Sequence, residues 1–121
     1  MKVKGLFENS SKTHSYKAGD VIFSVGDPGN VMYGIISGEV EIHMDGQLLA
    51  ELTRDDVFGE MALIDHSPRS AKAVAKTDCN IAVLDHHQFL FLVQETPLFA
   101  LHVMSTMADR LRRMNELVLR R

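Results

Sequence analysis

Between residues 14 and 84 the chain is broken every few positions by turn formers, and that rhythm restricts its fold more than any other feature. The intervening β-type runs are 14–17, 21–23, 31–36, 40–44, 47–52, 70–75 and 80–84. Ala18-Gly19-Asp20, Gly26-Asp27-Pro28-Gly29-Asn30, Ser37-Gly38 and Asp45-Gly46 separate them. Short strands at close, regular spacing predict an antiparallel sandwich or barrel. Asp45-Gly46 is the strongest hairpin signal, because a type I′ turn needs two residues that tolerate positive φ; Ser37-Gly38 is a weaker one. Alternation in Val40-Glu41-Ile42-His43-Met44 places Val40, Ile42 and Met44 on one face and Glu41 and His43 on the other.

After Leu84 the texture becomes helical. Asp85 and Gln88 form a capping box for a helix over about 86–95, with Phe89, Leu92 and Val93 inward. Thr96-Pro97 ends it and starts a second helix over about 97–120, with proline at the first helical position. The 121 residues therefore predict one domain: a mainly β fold over about 12–84, then a short helix and a long C-terminal helix. No apolar run approaches the roughly 20 residues of a membrane span, and the N-terminus lacks a signal-peptide pattern. With a single cysteine, Cys79, the expected setting is a reducing one and the expected location cytoplasmic. Charge is uneven: the first hundred residues carry a net −6 and the last twenty-one +3. The body is thus a poor polyanion binder, and the arginine-rich end reads as a solvated helix face, with no DNA or membrane binding expected.

Chemistry concentrates in residues 58–71, Phe58-Gly59-Glu60-Met61-Ala62-Leu63-Ile64-Asp65-His66-Ser67-Pro68-Arg69-Ser70-Ala71. Gly59 allows close backbone approach, and Glu60-Met61-Ala62-Leu63 supplies one helical turn whose first amides form an anion site. Ser67-Pro68 returns the chain and delivers Arg69, whose planar fork matches two phosphate oxygens, with the Ser70 hydroxyl beside it. A carboxylate at an anion site, Glu60, makes sense when the ligand also presents hydroxyls. The deduced ligand is a sugar phosphate of low charge. An ordinary turn with an Arg–Glu salt bridge produces the same residues.

This segment resembles the phosphate-binding cassette of cyclic-nucleotide-binding domains, Phe-Gly-Glu-(Leu/Met)-Ala-Leu, a spacer, then Pro-Arg-(Ser/Thr/Ala)-Ala. The nine-residue step from Glu60 to Arg69 is similar to that of kinase regulatory subunits and channel domains. The resemblance extends upstream through 16–23, Gly26-Asp27-Pro28 and 35–41. It implies a double-stranded β-helix, a jelly-roll-like β-roll, and a sensor for cAMP or cGMP that is no enzyme and has no catalytic cofactor. It further implies that Arg69 pairs with the exocyclic phosphate oxygens and that Glu60 accepts from the ribose 2′-hydroxyl. Gly59, the amides of Met61, Ala62 and Ala71, and the Ser70 hydroxyl complete the cradle. Ile42 and Leu49 stand where the family packs apolar side chains on base or sugar. Asp55 replaces the usual glycine before the cassette, and aspartate tolerates the left-handed region.

Met104, Met107, Leu111, Met114 and Val118 repeat at steps of three and four, a coiled-coil seam for a homodimer or a stripe packed on the domain's own barrel. By resemblance to the catabolite activator, Met114 and Asn115 fall near the purine; the choice between adenine and guanine stays open. Where a transcription factor of this type continues into a helix-turn-helix, this sequence stops, so the expectation is a stand-alone sensor or a part of something larger. The histidines at 14, 43, 66, 86, 87 and 102 show no metal-ligand spacing and read as solvated. The competing reading is the same fold with a cassette that no longer binds nucleotide and serves as a dimerisation or interaction module.

Overall fold

The computed structural model describes residues 3–119, leaving out the side chains of Ile64 and Asp65; Arg120, at the end of the expected second helix, and Arg121 lie outside the described residues. Eight strands form two four-stranded antiparallel sheets. One sheet orders β1 (Thr13–Tyr16), β8 (Cys79–Leu84), β3 (Met32–Ser37) and β6 (Val57–Phe58). The other orders β2 (Val21–Phe23), β7 (Lys72–Ala75), β4 (Val40–Met44) and β5 (Gln47–Leu52). A short helix α1 (Glu60–Asp65) lies between β6 and β7, and α2 (His86–Glu95) and α3 (Leu98–Leu119) follow the last strand.

The main core joins Ile35, Phe58, Cys79 and Ile81 of one sheet to Val40, Ile42, Leu49, Leu52, Ala73 and Ala75 of the other, so the sheets pack face to face as a β-roll. The alternation in β4 places Val40 and Ile42 in this core, with Glu41 and His43 half-buried behind. Asp45 and Gly46 both take positive φ, 53° and 75°, between β4 and β5, the backbone a two-residue hairpin turn demands. Asp55 takes φ 71°, and its carboxylate accepts from the Gly5 amide at 3.0 Å. β6 has only two residues, too few for an alternation pattern, and exists because Val57 and Phe58 pair with Gly34 and Tyr33 of β3.

A second core lies outside the first sheet. Here Phe7, Met32, Val57, Leu63, Ala82 and Leu84 meet Phe99 and Val103 of α3. Phe7, in a segment that carries no periodic signal, is fully buried and meets Phe99 edge-on at 6.1 Å. Gly34 makes room for it, since a Cβ there would stand 2.5 Å from the Phe7 ring. His102 corrects the reading of all six histidines as solvated: it is 1% exposed, and its Nδ1 accepts from the Val3 amide at 3.3 Å. A histidine on the inward face of a helix is buried by what packs over it, which the spacing of histidines does not reveal.

The capping box is present: the Asp85 carboxylate accepts from the Gln88 amide at 2.9 Å while the Gln88 side chain accepts from the Asp85 amide at 3.1 Å. Thr96, ahead of Pro97, leaves the helical region, as a residue preceding proline favours. α3 departs from α2 at a bend of 118°, and no single described helix is long and apolar enough to cross a membrane. Over its 22 residues α3 runs about 33 Å, returning across the mouth of the β-roll.

Candidate functional site

The cassette is held open by one glycine. Gly59 sits at φ 76° immediately before α1, and a Cβ there would also fall 2.8 Å from Arg69 Nη1, so both conformation and space exclude a side chain. Arg69 is delivered to this point by two backbone bonds with the β2–β3 loop: its amide donates to the Asp27 carbonyl at 2.8 Å, and its carbonyl accepts from Gly26 at 2.8 Å. The guanidinium then donates from Nη1 to the Gly59 carbonyl at 2.9 Å and from Nη2 to the Val31 carbonyl at 2.8 Å. It lies 4.3 Å from the centroid of the Phe23 ring and 5.5 Å from that of Tyr33, within cation–π range. Phe23, Tyr33 and Phe58 stack with centroids 5.0 to 6.1 Å apart, making a rigid floor under the cation. Arg69 is 6% exposed and its Nε has no acceptor among the described residues.

Glu60, the acid at the start of α1, is 2% exposed and is not paired with Arg69. Both its carboxylate oxygens accept from Arg110 Nη1 at 2.9 Å, and Arg110 Nη2 donates to the Val57 carbonyl. Arg110 stands on α3, 50 residues away, so this ion pair ties the long helix to the cassette. The Arg110 Nε is also buried without an acceptor among the described residues. No reading of the sequence singled out Arg110; the signal was its place one turn before Met114, on the face of α3 that meets the roll.

Between these elements lies a cavity of about 430 Å³, a size suited to a small organic ligand. Gly59, Glu60, Met61, Ala62, Arg69, Ser70 and Ala71 all line it, together with Ile42, Leu49 and Met114. Asn115 does not: it is exposed and absent from the lining, because one residue on from Met114 turns a helix by about 100°. The methionine stripe on α3 is divided in the same way. Met107 and Met114 face inward, packed on the two cores and lining the cavity, whereas Met104, Leu111 and Val118 are 54%, 60% and 64% exposed. The five residues fall within about 80° of helix circumference, and the inner edge of that face, Met107 and Met114, is taken up by the domain's own packing.

Chemically the site offers a pinned guanidinium with a donor in reserve, a buried carboxylate and an apolar wall. Among the described residues no group of three or more His, Cys, Asp or Glu is placed to hold a metal ion. Cys79 stands apart from the cavity; its Sγ lies 3.2 Å from the Glu39 carbonyl and 3.1 Å from that of Thr77, and burial pushes its thiol pKa up.

Comparison with known proteins agrees with this geometry. The family model described as "Cyclic nucleotide-binding domain" matches residues 13–96. The chain is 39% identical over 102 residues to the cyclic AMP receptor protein of Thermus thermophilus, covering 80% of this chain and 47% of the receptor. It is 40% identical over 79 residues to the cAMP-dependent protein kinase regulatory subunit of Emericella nidulans, covering 64% of this chain and 19% of that subunit. The chain thus spans about half the receptor's length and a fifth of the subunit's. Among solved structures, cAMP-bound PfPKA-R superposes with a TM-score of 0.77 at 28% identity, over 88% of this chain and 36% of that one. The Thermus thermophilus catabolite activator protein superposes with a TM-score of 0.73 at 34% identity, over 94% and 62%. With the family model matching well over half its length, and with its β-roll and cassette in place, this chain belongs to the cyclic-nucleotide-binding domain family.

Proposed function

We propose that this chain is a non-catalytic sensor that holds a 3′,5′-cyclic nucleotide, cAMP or cGMP, in the cavity between the cassette and α3. The observation that carries the reading is the independence of Arg69 and Glu60. Had they formed a simple salt bridge, the segment would be an ordinary turn; instead Arg69 is held by two carbonyls and Glu60 by Arg110. Arg69 then meets the phosphate beside the first amides of α1, and Glu60 accepts from the ribose hydroxyl. Two charge-assisted contacts of about 1.5–3 kcal/mol each, with apolar burial and less the ordering cost, correspond to micromolar affinity. Two cAMP-related proteins among the relatives support this ligand class. A cassette that no longer binds is disfavoured, since its charged residues are intact and a cavity adjoins them.

Output follows from Arg110. A ribose hydroxyl on Glu60 competes with the Arg110 guanidinium, so ligand and helix docking are linked through one carboxylate. The proposed homodimer seam is the exposed part of α3, formed by Leu101, Met104, Leu111, Asn115 and Val118, with Leu111 standing at the cavity rim and Asn115 as the polar register residue.

Calorimetric titration with cAMP and cGMP tests the core of the proposal. Micromolar binding to the wild type, weakened at least hundredfold in Arg69→Ala, is expected. No saturable binding below millimolar would refute the sensor; binding that Arg69→Ala leaves unchanged would mean a different pocket.

A further inference from the structure

Resting on the reading just given, we infer that the site does not discriminate among purines: adenine, guanine and hypoxanthine cyclic nucleotides are held alike, because the wall left for the base has no side chain that reads its edge. The phosphate and sugar ends are assigned by the pinned Arg69 and the buried Glu60. Away from the cassette, the roll and α3 line the cavity with apolar side chains, among them Ile42, Met44, Leu49, Met107, Leu111 and Met114. None carries a hydrogen-bond donor, and a thioether is only a weak acceptor. The polar side chains that do line the cavity belong to the cassette end: Arg69, Ser70, and Glu60 with its partner Arg110. The one nearby amide, that of Asn115, is exposed and outside the lining.

Two further observations bear on selectivity. Leu111 and Met61, at the rim, are 60% and 49% exposed, so the cavity is open there and a purine's polar edge keeps water whichever groups it carries. No base then loses hydrogen bonds that another retains. The three methionines on this wall are unbranched and polarisable and repack around rings of differing outline. An apolar pocket rejects a near-isostere by about a hundredfold at most, whereas a site built around a hydrogen bond rejects by about 10⁴.

The test is competition of cyclic AMP, cyclic GMP and cyclic inosine monophosphate on the full chain at fixed salt. Dissociation constants within tenfold of one another are expected. A preference above tenfold for any one overturns the inference while leaving the sensor reading intact. Absence of binding by all three overturns the sensor reading itself, and this inference with it. Two variants locate the cause. Met114→Gln places an amide on the wall and is expected to separate adenine from guanine by more than tenfold; a ratio equal to that of the wild type contradicts the placement of the base against Met114. Asn115→Ala is expected to leave the ratio within twofold of the wild type, and a larger change shows that Asn115 reads the base after all.

Discussion

The cassette contributes a buried arginine and the long helix a half-buried one, and the two are held in opposite ways. Arg69 is fixed from within the β-roll: its own backbone is zipped to the β2–β3 loop, and its guanidinium is bonded to two carbonyls above a stack of aromatic rings. These bonds and ring contacts all come from the roll and its loops. Arg110 belongs to α3 and reaches the roll through one carboxylate and one carbonyl. The first arrangement is a preorganised binding group, whose cost of ordering is met by the fold before ligand arrives. The second is an exchangeable contact, because the carboxylate it uses is the group a sugar hydroxyl would also use. On the function proposed above, a fixed cation beside a releasable one would let occupancy at one end of the cavity alter the docking of a helix at the other.

The contrast can be broken most severely by Arg110→Ala. It leaves Glu60, 2% exposed, as a buried carboxylate without its cation, and should lower stability by about 3 kcal/mol in urea unfolding. A loss below about 1 kcal/mol would show that the tie is not structural. In the same variant, ligand-induced change in amide exchange over residues 105–119 should shrink, and an undiminished change would place the coupling elsewhere. Next in size is Glu60→Gln. A neutral amide accepts more weakly than a carboxylate, so the preference for ribo- over 2′-deoxyribo-cyclic nucleotide should fall by about 1.5 kcal/mol, roughly tenfold. A preference equal to that of the wild type would remove Glu60 from the sugar. Smallest for the fold is Leu111→Lys, on a 60% exposed position, with a stability change within about 0.5 kcal/mol. Its readout is association: light scattering should show the variant monomeric and the wild type dimeric. A wild type that stays monomeric at every concentration, with or without ligand, refutes the seam.

Features that depend on neighbours in sequence were readable in advance. The positive φ of Asp45 and Gly46 and the reciprocal bonds of Asp85 and Gln88 each follow from two to four adjacent residues, whereas the left-handed Asp55 was expected from the family resemblance. The cassette is legible for the same reason, since Gly59 through Ala71 is one continuous stretch, and the structure gathers all seven of its predicted residues at one cavity. Spacing along α3 was a poorer guide. Steps of three and four are common to two adjacent faces of a helix, and the count alone does not say that Met107 and Met114 pack inward while Met104 and Val118 stay exposed. The same ambiguity placed Asn115 beside Met114 at the base, where only Met114 lies.

By itself, the sequence determined antiparallel β structure with trailing helices and marked out one candidate binding segment, because turn chemistry, alternation and a contiguous motif are local properties. Only the tertiary structure decided that Phe7 enters the second core, that His102 is buried, and that Arg110 rather than Arg69 holds Glu60. Those contacts join residues 50 to 99 positions apart, or depend on which side of a helix faces the roll. Packing sets them, and no short-range preference in the chain encodes them.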